Sequence, residues 1–280
     1  MYRTVRYEAA GGTGKMKILE YFKLKNKIVV LTGGTGLIGQ AAMEAIPQLG
    51  AQLVVGVRNM DKLDKQLREL QDYNGIKPCG IQLDISSPDS IKAFFSEINQ
   101  RFGRIDVLIN NAWPKTDDWL SLFENVKPES MYKNLCDNAG GYFLCCQEAA
   151  KYMRAQQSGV ILNMGSIYGA VGPHFDIYEG TEMTSPAVYA LIKGGIHNFS
   201  RYLATYLAAD GIRVNCLCPG GVQDNSHQHP EFHKRYTAQT PLKRMAKPDD
   251  IIGPMVFLIS DASKYMTGTV IMADGGWTAW

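Results

Sequence analysis

Tyr189 and Lys193 stand four residues apart in a stretch, 188–209, that reads as one long helix, so their side chains share a face. A phenol titrates near 10 and is protonated at neutral pH. An ammonium beside it favours the phenolate, which makes the pair a candidate proton donor and acceptor at a working pH. A second constellation is Thr32-Gly33-Gly34-Thr35-Gly36-Leu37-Ile38-Gly39, between a short apolar run and the first helix. Backbone without Cβ turns tightly and approaches a pyrophosphate closely, and a helix N-terminus then offers free N–H groups and a positive dipole end. In a first β-α-β unit such a turn points to a dinucleotide. At the end of the second strand an acidic residue would hold the ribose hydroxyls of NAD; this chain reads Val57-Arg58-Asn59. A guanidinium there pairs with a 2′-phosphate, so NADP(H) is the expected cofactor and NAD(H) the alternative.

These residues need a scaffold that gathers strand ends. Residues 28–32, 52–57, 78–83, 107–110, 160–164, 213–218 and 270–273 are short apolar runs that read as buried parallel strands. Helical patterns occupy 40–49, 60–73, 88–102, 141–156 and 188–209, with Ser86 or Ser87 as the cap of the third. The alternation predicts an α/β fold: a doubly wound Rossmann architecture, a seven-stranded parallel sheet with helices on both faces. The chain has 280 residues, 45% hydrophobic and 20% charged, which excludes disordered, collagenous and disulfide-scaffold classes. Residues 24–280 read as a single domain, and residues 1–23 as a flexible N-terminal extension. Lys plus Arg is 29 against 27 Asp plus Glu, a net charge of +2. That balance gives no reason to expect nucleic acid or a membrane as partner. No apolar window reaches a membrane span and no secretory signal is evident. The 6 cysteines form no C-x-x-C and no zinc-ligand spacing with histidine. Reduced thiols in a cytoplasmic protein are expected, and no metal.

Further motifs stand at the strand ends: Asp84-Ile85, Asn110-Asn111-Ala112, Gly165-Ser166, Pro219-Gly220 and Asp274-Gly275-Gly276. In this order, with Tyr-x-x-x-Lys, residues 24–280 resemble the short-chain dehydrogenase/reductase family in its compact single-domain branch. The resemblance implies Asn138, Ser166, Tyr189 and Lys193 as the catalytic set. Tyr189 would exchange the proton, Ser166 would hold the substrate oxygen, and Asn138 would hold a water linking Lys193 to solvent. It implies a cofactor site in which Gly33, Thr35, Gly36, Leu37, Ile38 and Gly39 meet the pyrophosphate. Arg58 and Asn59 meet the adenosine ribose, and Asp84 and Ile85 flank the adenine. Asn111, Ala112, Tyr189 and Lys193 lie along the second ribose, and Pro219, Gly220 and Val222 flank the nicotinamide. The implied reaction interconverts a secondary alcohol and a ketone. Relatives of this branch also imply a homodimer or homotetramer built through the long helices and the C-terminal segment.

Four features depart from the compact-branch pattern. Leu37 stands where a glycine is usual, Trp113 follows Asn-Asn-Ala in place of glycine, and Asp224 replaces a threonine beyond Pro-Gly. Residues 172–186 lengthen the segment between Ser166 and Tyr189. This insert is expected near the substrate mouth, where its hydrogen-bonding groups suit a polyhydroxylated small molecule, with a capping or subunit-contact loop as the equal alternative. Similar inserts occur in relatives from bacterial surface-sugar and flagellin-glycan pathways and in gluconate 5-dehydrogenase-like enzymes, so a sugar or sugar derivative is the expected substrate. The alternatives are an epimerase or dehydratase with retained cofactor, using Asp176, Glu179 or Glu182 as acid or base, and a non-catalytic cofactor-binding regulator. His227, His229 and His233 fall in a loop-like stretch, 225–245, and are expected to contact substrate or solvent.

Overall fold

The computed structural model describes residues 17–280. In chain order the regular elements are β1 (Ile28–Thr32), α1 (Leu37–Gln48), β2 (Gln52–Val57), α2 (Met60–Glu69), β3 (Cys79–Gln82) and α3 (Pro88–Phe102). Then come β4 (Val107–Asn110), α4 (Pro128–Leu135), α5 (Gly141–Gln156), β5 (Gly159–Met164) and α6 (Ala187–Tyr206). The chain closes with β6 (Ile212–Pro219), α7 (Pro230–Gln239), α8 (Pro248–Ile259) and β7 (Val270–Ala273). All neighbouring strands are parallel, in the order β3-β2-β1-β4-β5-β6-β7. The doubly wound seven-stranded sheet is therefore present.

Double-sided burial explains why the strands read as continuous apolar runs. In β1, Val30 faces the core formed with Phe94 and Phe95 of α3, Tyr142 of α5 and Ile192 of α6. Its neighbours Val29 and Leu31 face the opposite core, formed with Met43 and Ile46 of α1 and Ile251 and Met255 of α8. Ser87 does cap α3, accepting from Ser90 N at 3.2 Å, with Pro88 at the first turn and Gly103 closing the helix at φ +70°.

Three helices escaped the sequence reading. α8 carries Gly253 and Pro254 in its interior, which lowers its local propensity, yet Ile251, Met255 and Leu258 are buried against the sheet. α7 is mostly polar, and only Phe232 and Tyr236 are buried. α4 runs through one π-type turn, Cys136–Gly140, into α5. α1 begins at Leu37 rather than at residue 40, because Gly39 lets the helix press on the turn: a Cβ there would lie 2.5 Å from Gly33 O. Ahead of β1, Ile18–Phe22 forms a 3-10 turn with Lys264 Nζ 5.0 Å from the Tyr21 ring. Residues 1–16 of the expected extension lie outside the described residues. Among the described residues no helix is long and apolar enough to cross a membrane.

Candidate active site

β1 and β4 are neighbours, yet the chain leaves them toward β2 on one side and β5 on the other. Such a switch point opens a crevice at the carboxyl ends of the strands. A cleft of about 710 Å³ lies there. Its walls hold the glycine turn, the ends of β2 and β3, the segment after β4, and the starts of the loops after β5 and β6.

The turn is built by close approach. Gly33 has φ +75°, and a Cβ on it would stand 2.6 Å from Ala112 Cα. Thr32 Oγ1 accepts from Asn111 N and Ala112 N, both at 3.0 Å, and Asn111 Nδ2 donates to Gly33 O at 2.9 Å. Asn111 thus ties the β4 end to the turn. Gly33, Thr35, Gly36, Leu37 and Ile38 line the cleft; Gly39 packs behind them. This glycine cradle at the α1 N-terminus fits a pyrophosphate.

Arg58, Asn59, Asp84 and Ile85 line one end of the cleft. Arg58 is exposed and has no ion pair among the described residues. Asn59 spends its side chain capping α2, accepting from Lys62 N at 2.9 Å. Burial pushes the Asp84 carboxyl up, but hydrogen bonds from Ser86 and the nearby Arg58 charge win, and its pKa sits below the ordinary value.

Ser166, Tyr189, Pro219, Gly220 and Val222 line the other end. Lys193 is buried just behind, its Nζ donating to Met164 O at 2.7 Å and lying 5.6 Å from the Tyr189 ring centre. Burial pushes the Tyr189 phenol up to about 12, while the Ser166 hydroxyl pulls it down. Burial pulls Lys193 down to about 8, opposed by Cys216 and Cys218. Desolvation outweighs the Ser166 hydrogen bond in the protein alone, and the Lys193 ammonium together with an oxidised nicotinamide would act against that burial. Asn138 sits in the π-type turn and donates to Pro114 O at 3.0 Å and Asn134 O at 2.9 Å. Its Oδ1 is buried without a protein partner.

Trp113 turns out to be central. Its ring meets the Tyr189 ring edge-on at 5.0 Å and lies 4.1 Å from Lys193 Nζ. Trp119 completes the aromatic cluster at 6.1 Å from Tyr189. The sequence offered Trp113 as a departure whose indole lines the site or merely packs, and it lines the cleft; Trp119 carried no signal. Lys115, Asp224 and Gln228 also line the cleft.

The insert packs on Ile167 and Tyr168, next to Ser166, and its Tyr178 is near enough to Tyr189 to raise that phenol's pKa. None of residues 172–186 lines the cleft. Two of its carboxylates are held by α7: Arg235 pairs with Glu179 at 2.8 Å, and Gln239 donates to Asp176 Oδ2 at 2.7 Å. Tyr178 stacks on Phe232 at 5.3 Å, and Ile177 is buried in a small core with Tyr236 and Trp277. Glu182 is exposed and away from the cleft. Asp176, Glu179 and Glu182 thus lie outside the cleft lining. Two of the three histidines are occupied locally: His227 pairs with Asp224 at 2.8 Å, and His229 accepts from Glu231 N at the α7 cap; His233 Nε2 is buried without a partner.

A glycine cradle on a doubly wound sheet, with Ser, Tyr and Lys at its far end, defines an oxidoreductase of the dinucleotide-binding kind. Residues 35–278 match the model of the family described as enoyl-(acyl carrier protein) reductase. The chain belongs to the short-chain dehydrogenases/reductases. It is 33% identical over 258 residues to post-translational flagellin modification protein A of Campylobacter coli, covering 91% of this chain and 99% of that one. A short-chain dehydrogenase from Leptospira borgpetersenii with bound NAD+ superposes with a TM-score of 0.82 at 33% identity, covering 97% and 100%. A gluconate 5-dehydrogenase from Burkholderia cenocepacia in complex with NADP and tartrate gives 0.84 at 25% identity, covering 94% and 100%.

Proposed function

We propose that this chain interconverts a secondary alcohol and a ketone on a small polyhydroxylated substrate, a sugar or sugar derivative, with NADP(H). The observation that carries the reading is the single cleft that holds the glycine turn and Arg58 at one end and Ser166 and Tyr189 at the other. When bound, the nicotinamide supplies hydride exchange at the substrate carbon. The chain's own groups do the rest. Ser166 Oγ holds the substrate oxygen, and Tyr189 Oη gives or takes its proton. Lys193 stands behind the phenol, and Asn138 Oδ1 accepts from a water that relays protons to solvent. Trp113, backed by Trp119, offers an aromatic face for the apolar side of a sugar ring, and Lys115 offers hydrogen bonds at the rim. The names of the flagellin-modification and gluconate relatives support a carbohydrate substrate.

Cofactor choice rests on Arg58. Titration with NADPH and with NADH, followed by nicotinamide fluorescence, is expected to show tighter NADPH binding. Arg58→Ala removes a charge-assisted pair and should weaken NADPH roughly 10- to 100-fold while leaving NADH unchanged. Equal loss of both, or a native preference for NADH, would overturn the NADP(H) assignment.

A homo-oligomer built on the outer faces of α5 and α6 completes the proposal. Phe143 and Phe199 stack at 5.4 Å, and Tyr202 and Tyr206 stack at 5.7 Å, with Phe143, Tyr202 and Tyr206 exposed. Unpartnered aromatic surface of this kind favours self-association. Light scattering should give a dimer or tetramer mass, and Phe143→Glu with Tyr202→Glu should give a monomer. A monomeric parent sinks this reading. The 6 free cysteines support a reducing, cytoplasmic setting.

A further inference from the structure

We propose that His197, Cys216 and Cys218 form a binding site for one soft three-coordinate cation, Cu(I), directly behind the loop that carries Ser166. Cys216 and Cys218 alternate along β6 and so project from the same face of the sheet. His197 comes from α6, one turn beyond Lys193. All three are buried, at 0%, 0% and 4% exposure. His197 Nε2 lies 3.0 Å from Cys218 Sγ, and the two sulfurs are 3.7 Å apart. The three donor atoms all fall within 4.8 Å of one another.

An independent feature shows that they converge. Gly165 lacks a Cβ, and the point where one would stand lies 2.5 Å from Cys218 Sγ, 2.7 Å from Cys216 Sγ and 2.8 Å from His197 Nε2. Any side chain at 165 would fill the space that the donors share. No fourth His, Cys, Asp or Glu joins them among the described residues. Zinc takes a fourth ligand, from the protein or as a water in an open position, whereas two thiolates and one imidazole that are all buried suit a soft three-coordinate monovalent ion. Binding releases two thiol protons to solvent and moves no electrons. The resulting site carries one net negative charge, with the Lys193 ammonium as the adjacent counter-charge. The assigned reaction uses none of these three side chains.

The test is an anaerobic titration of the reduced full chain with Cu(I) against the chromophoric chelator bicinchoninate. One Cu(I) per chain is expected to resist the chelator. Cys216→Ala with Cys218→Ala should weaken retention by more than the roughly 100-fold that losing an outer-sphere partner costs, and His197→Gln should also weaken it. Equal retention by the parent and the double variant would overturn the proposal, since the other four cysteines would then hold the metal. Should the variants fold poorly, X-ray absorption of the Cu(I)-loaded parent decides: two sulfurs and one nitrogen are expected, and any other first shell refutes the site. Binding is read without turnover, so its outcome is separable from the substrate reading.

Discussion

Tyr189→Phe should lower kcat by roughly 10²- to 10⁴-fold, the usual contribution of a positioned acid–base group. The substitution removes one oxygen and little else. The phenylalanine ring can keep the edge-on contact with Trp113, which lies 5.0 Å from the Tyr189 ring centre, and the rest of the cleft is untouched. Cofactor affinity should therefore change little, and the loss should appear in kcat. The parent's pH dependence should follow a group whose pKa burial raises, so deprotonation of the free enzyme's phenol belongs near 12 and falls lower only in the complex. Steady-state kinetics with dinucleotide titration on the same preparation makes the check. A variant that keeps more than a tenth of the parent kcat would remove Tyr189 from the proton path.

Lys193→Met should abolish most turnover and, in the same molecule, change how stability depends on pH. The side chain is buried, and its ammonium titrates near 8 in the folded protein against 10.5 ordinarily. Between those values the unfolded chain binds the proton and the folded chain does not, so the parent gains stability as pH rises through this window. The gain is about 3 kcal/mol when the window is crossed, and below pH 8 the full cost of the buried charge is present. The variant has no such charge, so it lacks this rise and, relative to the parent, is most stable below pH 8. Tyr189 adds the opposite trend only above its ordinary 10, since its folded pKa is the higher one. Buried Cys145 and Cys146, whose thiols burial raises, lower the stability of both proteins as pH rises past 9, so the difference between the two urea-unfolding curves from pH 8 to 10 isolates the lysine. Parallel stability curves over that range would show that Lys193 is not desolvated.

Several features of this protein are local, and the sequence alone determined them. A strand buried on both faces must be apolar throughout, so β1 and β4 announced themselves. A Tyr and a Lys at i and i+4 must share a helix face. A glycine run between a strand and a helix must be a tight turn, and Gly33, with its positive φ, shows why. Strand-end motifs in a fixed order then carried the family.

What only the tertiary structure decided depends on residues far apart in the chain. α7 and α8 have weak local signals because packing against the sheet and the insert, not propensity, holds them. The insert has groups fit for a substrate, but Arg235 and Gln239, more than fifty residues away, claim two of its carboxylates. Asn111 reads as a cofactor contact through its backbone and lines the cleft; that its side-chain amide also clamps the β1 turn is visible only in the fold. The phenol's pKa follows from burial that no local pattern encodes. His197 and the two β6 cysteines have no metal-like spacing, and only the packing of α6 on β6 brings their donor atoms together. Periodicity fixes which face a side chain takes; the company it keeps on that face is set by the fold.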